Sequence, residues 1–100
     1  MSNALLINHV FDIHTKVADG AARFDRRFGS TEWTKKIAPV IDELDISDPF
    51  HCPLFYVFGS FTGGWKQLDR CDPFANGYAC DEEDNSVYRE AWDLQISIRP

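Results

Sequence analysis

The chain has 100 residues, a formal net charge of −6 and no apolar run long enough to span a bilayer. Apolar residues make up 44% and charged residues 26%, which excludes a disordered composition and predicts one globular domain over residues 1–100. The acidic balance argues against direct contact with nucleic acid, because phosphates need a basic surface.

A first helix is predicted over residues 4–28, because apolar side chains recur at spacings of three and four. Gly20 is its weak point, since glycine costs about 1 kcal/mol relative to alanine inside a helix, and the helix can break there. Gly29 is a natural stop. The apolar stripe consists of Leu6, Val10, Ile13, Val17, Ala21 and Phe24.

A second helix is predicted to begin at Ser30, which can cap its first turn. Pro39 lies well inside this helix, where it removes a backbone donor and clashes with the preceding turn, so a kink or split is expected near Ala38. The predicted buried stripe of this helix consists of Trp33, Ile37, Val40, Ile41 and Leu44.

The stretch PLFYVFGSFTGGWKQL, residues 53–68, is predicted to form a β-hairpin. Two runs rich in aromatic and β-branched residues flank Gly63-Gly64, a pair that can adopt the positive φ angles of a tight turn. Both faces of the ribbon are apolar, so the hairpin is expected at the centre of a sheet. Asn76-Gly77 predicts a second, shorter hairpin over residues 71–80.

The last segment alternates between apolar and polar residues, which predicts a half-buried strand. Two leading helices followed by strands indicate an α+β fold, with the helices packed on a mostly antiparallel sheet of three to five strands. The apolar positions of this last strand are Trp92, Leu94, Ile96 and Ile98.

Three cysteines are an odd count, which disfavours a secreted disulfide framework. With no leader segment, this predicts a cytoplasmic location. Cys71 and Cys80 would oppose each other across the second hairpin, where a disulfide is geometrically possible. Together with Cys52 they lack the short paired spacing of a zinc site. No catalytic set of serine, cysteine, histidine and acid residues can be placed, so we expect no enzyme, no cofactor and no metal.

Two groups of carboxylates are candidates for partner binding. The first acidic cluster follows the second helix, and the second acidic cluster lies in a loop where four like charges repel one another. Each has an ordinary explanation as a solvated helix end or polar loop. The first cluster consists of Asp42, Glu43, Asp45 and Asp48, and the second of Asp81, Glu82, Glu83 and Asp84.

The chain also has more aromatic residues than one small core obviously needs. Trp65, Phe74 and Tyr78 are the candidate anchors of a protein contact, since exposed aromatic residues beside carboxylates are typical of such surfaces. A basic strip joins the first helix to the second, and we expect it mainly to neutralise nearby aspartates. The strip consists of Lys16, Arg23, Arg26, Arg27, Lys35 and Lys36.

These features favour a non-catalytic binding module that occupies a basic, nucleic-acid-binding site on a protein or nucleoprotein partner. An inhibitor fits this description, such as a phage-encoded blocker of a nuclease or defence complex, or a toxin-immunity protein. One alternative is an assembly subunit that self-associates through an aromatic sheet face. Another is an enzyme that binds a small ligand or metal between helices and hairpin.

Overall fold

The computed structural model describes the backbone of residues 2–99 and the side chains of residues 7–99. That range is helical and contains no β-strand, so the predicted α+β fold, its sheet and the aromatic sheet face are wrong. The α-helices are α1 (Ser2–Phe28), α2 (Ser30–Ile37), α3 (Pro53–Phe58), α4 (Phe61–Gln67) and α5 (Asn85–Ser97), with 3-10 segments at Ala38–Glu43 and Glu82–Asp84.

The buried face of α1 follows the apolar spacing of its sequence. Leu6 of the predicted stripe lies outside the described side chains. Val10 is exposed and, with Ile7 and Phe11, forms an apolar strip beside the core-facing side of the helix. The remaining four positions are buried as predicted: Ile13, Val17, Ala21 and Phe24.

α1 does not break at Gly20. A β-carbon on Gly20 would lie 2.0 Å from the carbonyl oxygen of Asn76, so only glycine lets the backbone of residues 72–79 pass this close to the helix. Tyr78 Oη donates a hydrogen bond of 2.6 Å to Gly20 O at the same place. The glycine therefore serves packing rather than helix termination.

The predicted split of the second helix is confirmed. α2 ends at Ile37 and the chain continues as the 3-10 segment Ala38–Glu43, where Pro39 occupies the first turn. Val40 has non-helical angles, φ −115° and ψ 17°, because proline disrupts the preceding turn. Of the predicted stripe, Trp33, Ile37 and Leu44 are buried, whereas Val40 and Ile41 are half-buried.

The predicted hairpin over residues 53–68 is instead the helix pair α3 and α4. Pro53 occupies the first turn of α3, where its missing N–H would be unpaired in any case. Gly59 ends α3 in the left-handed region, φ 84°. Ser60 Oγ accepts a hydrogen bond of 3.0 Å from Gly63 N and so caps α4.

The glycine pair that indicated a turn lies inside α4. A β-carbon on Gly64 would come within 2.9 Å of Leu54 Cβ, so the missing side chain lets α3 and α4 approach each other closely. Other apolar residues of the supposed ribbon pack elsewhere on the protein: the ring centroid of Phe58 lies 5.3 Å from that of Phe28 on α1.

Residues 72–79, here called the strap, cross α1 as an irregular loop rather than as a second hairpin. Trp92 Nε1 donates a hydrogen bond of 2.8 Å to Gly77 O, which ties the strap to α5 as well. Cys71 and Cys80 at its two ends are free thiols and form no disulfide. The strap thus joins the two longest helices.

The segment predicted as the last strand is α5. Tyr88, Ala91 and Trp92 are buried at spacings of three and four, which is the helical period. Leu94 and Ile98 are exposed, so the alternation that indicated a strand does not describe their burial.

Aromatic rings fill the centre of the core. The ring centroid of Phe24 lies 5.0 Å from that of Tyr78 and 5.3 Å from that of Trp33. Trp92 stacks on Tyr78 at 5.8 Å. The indole N–H of Trp33 donates to Asp25 Oδ1 at 2.8 Å, so this polar group is satisfied inside the core.

α1 and α5 run in parallel and are joined near both ends. His9 Nε2 lies 3.0 Å from Asp84 Oδ1 at the start of α5, and Arg99 Nη2 lies 2.8 Å from Asp25 Oδ2 just beyond its end. In the described part of the chain, no helix has the length and apolar character needed to cross a membrane.

Candidate protein-binding face

The two acidic clusters lie side by side, although residues 49–80 separate them in the sequence. Ile46 N, inside the first cluster, donates a hydrogen bond of 2.7 Å to Asn85 Oδ1. Asn85 directly follows the second cluster. Arg89 Nη1 on α5 donates to Asp42 O at 3.3 Å. We call the combined surface of the two clusters the acidic face.

The thiol of Cys80 lies near carboxylates of both clusters. Burial, followed by the effect of nearby carboxylates, raises the pKa of this thiol to about 12. Those carboxylates belong to Asp84, Asp45 and Asp81, which come from both clusters. Negative charges from both clusters therefore act on a single sulfur atom.

Two carboxylates of the first cluster are held in local turns. Asp45 Oδ1 accepts a hydrogen bond of 3.0 Å from Ser47 N. Asp48 Oδ1 accepts one of 2.9 Å from Phe50 N, and Asp48 Oδ2 lies 2.8 Å from the His51 ring. These bonds lower the pKa of Asp48 from its ordinary value, with the Phe50 N–H as the larger cause. Both residues thus have a structural role in shaping the connector.

Most of the remaining carboxylates of the acidic face form no hydrogen bond or ion pair with the described residues. Asp84 contacts His9, as described above. Five further side chains are exposed and have no hydrogen-bond or ion-pair partner within residues 7–99. They are Asp42, Glu43, Asp81, Glu82 and Glu83. Clustered charges of one sign create a negative potential that attracts a basic surface, and Arg89 and His9 offset only part of it here.

The three aromatic residues predicted as anchors fall in different places. Tyr78 is fully buried, its hydroxyl is bonded to α1, and burial raises its pKa strongly, so it belongs to the core. Trp65 is half-buried on α4, with Lys66 Nζ 5.8 Å from its ring centroid. Phe74 is 56% exposed on the strap. Within residues 7–99, no aromatic ring pair joins Trp65 or Phe74 to Phe50 or Phe55 beside the acidic face.

An aromatic groove that the sequence reasoning missed borders the acidic face. Phe50 is 68% exposed and its ring lies 6.3 Å from that of Phe55. With Phe61 and its neighbours these rings line a groove of about 470 Å³. The bond from Phe50 N to Asp48 places the groove directly beside the first acidic cluster. The only signal in the sequence was a phenylalanine immediately after the turn residues Asp48-Pro49.

The described residues offer no assembled site for metal or thiolate chemistry. No group of three or more histidine, cysteine, aspartate or glutamate side chains within that range is arranged to hold a metal ion. Burial raises the pKa of Cys52 and of Cys71, so both stay protonated at neutral pH.

No protein-family model matches the chain, and comparison with curated proteins and with solved structures finds no significant similarity.

Proposed function

We propose that this protein is a small non-catalytic binding module whose acidic face occupies a basic, nucleic-acid-binding site on a partner protein or nucleoprotein. The observation that carries the proposal is the Ile46–Asn85 hydrogen bond, which joins two separate acidic clusters into one surface. A single cluster would be an ordinary polar loop. Two joined clusters bring carboxylates from two segments of the chain onto one surface, where they can act on a partner together.

The unengaged carboxylates supply the attraction. Turn formation accounts for Asp45 and Asp48, but it gives no role to the five exposed carboxylates beside them. Lysine and arginine side chains that normally hold phosphates are natural counterparts for these groups, because carboxylates form charge-assisted hydrogen bonds with both. Long-range attraction of this kind mainly increases the association rate.

The groove at Phe50 supplies the anchor of the contact. Exposed aromatic side chains in a concave patch are typical centres of a protein interface, with charged residues at the rim. The arrangement of an aromatic groove directly beside carboxylates fits this pattern. In the proposed complex, the anchoring aromatic residue is Phe50 and not the predicted Tyr78, which is buried in the core.

Inhibition is the function that follows from such a contact. A module that covers a basic site prevents nucleic acid from entering it, as phage-encoded blockers and toxin-immunity proteins do as a class. The proposal places the protein in the cytoplasm, where its three cysteines remain reduced.

The test begins with capture of the partner from host lysate on immobilised protein, followed by measurement of association rates with the purified partner. We expect the double variant Glu82→Gln/Glu83→Gln to bind several-fold more slowly at low salt, with the difference shrinking as salt rises. A matched control, Asp19→Asn/Glu32→Gln, removes the same charge from exposed positions outside the acidic face.

Equal association rates for the two double variants would contradict the proposal. Light scattering on the free protein separates it from self-association. The binding module is expected to be monomeric without its partner, whereas an assembly subunit would form a stable homo-oligomer.

A further inference from the structure

A basic cavity lies at the opposite end of α1 from the acidic face. It has a volume of about 170 Å³. His9, which contacts the acidic face, and Arg26 are seventeen residues apart on α1, which corresponds to about 25 Å at the helical rise. The cavity is lined by Arg23, Arg26, Arg27, Gln67, Leu68 and Asp69.

The basic strip was expected to neutralise nearby aspartates, but the three arginines of the cavity do not do so. Lys16 pairs with Asp12 as expected, and Asp25 pairs with Arg99. None of the three cavity arginines forms an ion pair with a carboxylate within the described residues. Cations in the last turn of a helix are favoured by its dipole, which explains Arg26 and Arg27 on α1 but not the convergence of three arginines on a cavity.

The guanidinium groups are partly fixed in position. Arg23 Nε donates a hydrogen bond of 2.8 Å to Asn76 Oδ1, and the buried Asn76 in turn donates 2.8 Å to Asp72 O. This leaves the terminal nitrogens of Arg23 available. Arg27 Cζ lies 5.4 Å from the ring centroid of Phe28, a stacked contact that leaves its N–H edges unused. Less side-chain freedom then remains to be lost on binding.

The backbone at the cavity wall adopts an unfavourable conformation. Asp69 and Arg70 are consecutive non-glycine residues in the left-handed region, with φ 60° and 54°. Such strained residues cluster at ligand-binding positions, where the surrounding structure holds them.

We propose that this cavity binds a phosphate group carried by a small molecule or an amino-acid side chain. Three guanidinium groups and one carboxylate give the wall a net charge of +2, and a phosphomonoester carries about −1.5 to −2 at neutral pH. Guanidinium groups also match phosphate geometry through paired hydrogen bonds. A volume of about 170 Å³ is small, which suits one phosphate group rather than a polyanion.

Isothermal titration at constant ionic strength tests the proposal, with inorganic phosphate and O-phosphoserine as probes and chloride as the reference. We expect saturable binding of at least one probe. Tighter binding of O-phosphoserine would indicate a phosphorylated amino acid, and equal or tighter binding of inorganic phosphate would indicate a small phosphate-bearing molecule without the amino-acid part. The Arg26→Gln variant is expected to bind the better probe about tenfold more weakly.

Two further variants separate a built site from general attraction. Lys35→Gln removes the same charge from an exposed position on α2, outside the cavity wall, and should bind like the wild type. Asp69→Asn removes the repelling carboxylate, keeps a residue type that tolerates a left-handed conformation, and should tighten binding several-fold. Absence of saturable binding, equal weakening by Arg26→Gln and Lys35→Gln, or weaker binding by Asp69→Asn would overturn the proposal.

Discussion

Replacing Gly20 with alanine tests the close contact between α1 and the strap. In an open helix this change stabilises a protein by about 1 kcal/mol, because alanine is the better helix former. Here the new β-carbon would lie 2.0 Å from Asn76 O and 3.1 Å from a ring carbon of Tyr78. The nearest obstacle is a backbone atom, so the strap must move as a unit.

The expected magnitude follows from three contributions. Overpacking a tight contact costs roughly 1–3 kcal/mol, and this contact lies at the severe end of that range. Displacing the strap also weakens the Tyr78–Gly20 hydrogen bond, which contributes about 1 kcal/mol. After subtraction of the gain in helix propensity, the variant should be roughly 2–3 kcal/mol less stable. For a chain of this length that corresponds to a fall in Tm of roughly 10–20 °C.

Urea unfolding followed by circular dichroism measures this change in the free energy of unfolding. Gly63→Ala is the matched control, because Gly63 lies in α4 and the nearest atom to its added β-carbon is the side-chain oxygen of Ser60 at 3.3 Å. The control should change stability by less than about 1 kcal/mol. If Gly20→Ala were as stable as the wild type or more so, the strap would not pack on α1 as described.

Two further predictions concern ionisation. The hydrogen bond from Arg99 is the main cause that lowers the pKa of Asp25 below its ordinary value of 3.8. This carboxylate therefore stabilises the fold above pH 3.8, and the stabilisation is lost as the pH falls through the lowered pKa. Wild type should therefore exceed Asp25→Asn in stability at pH 7, and the difference should shrink near pH 3; a constant difference would contradict the ion pair. All three cysteines should react slowly with a thiol reagent in the native protein and rapidly in urea, because burial raises the pKa of each thiol. Fewer than three reactive thiols in urea would indicate a disulfide.

The first two helices could be predicted from the sequence, because local rules decide them. The apolar spacing of α1 and the disruption caused by Pro39 depend on backbone geometry and on burial of one helix face. The hairpin prediction failed because Gly63-Gly64 has two possible uses. Glycine permits a tight turn, but it also permits two helices to touch, and only the position of Leu54 in space decides between them.

The C-terminal segment shows the same ambiguity in another form. Its strict alternation predicts a strand, yet Tyr88 and Trp92 supply the helical spacing that the core uses. Helix signals were also present around the supposed hairpin. Pro53 at a first turn and Ser60 at a cap are typical helix boundaries, and their consistent placement outweighs the aromatic and β-branched character of the run between them.

The candidate site could be predicted only in part. The sequence identified both clusters of carboxylates. That they form one surface depends on a hydrogen bond between residues thirty-nine positions apart, which the sequence does not reveal. The aromatic anchors were harder to identify, because the sequence alone does not distinguish a buried tyrosine such as Tyr78 from an exposed phenylalanine such as Phe50. Burial of these residues is decided by the strap and by α3, whose positions are tertiary features.

The most direct measurement of the proposed binding face is the association rate of the partner with each acidic cluster neutralised separately and then together. Asp42→Asn/Glu43→Gln alters the first cluster, Glu82→Gln/Glu83→Gln the second, and a fourfold variant combines them. If both clusters face one basic site, each double variant slows association and the fourfold variant slows it further. A first-cluster variant that associates as fast as the wild type, beside a slowed second-cluster variant, would contradict a single binding face.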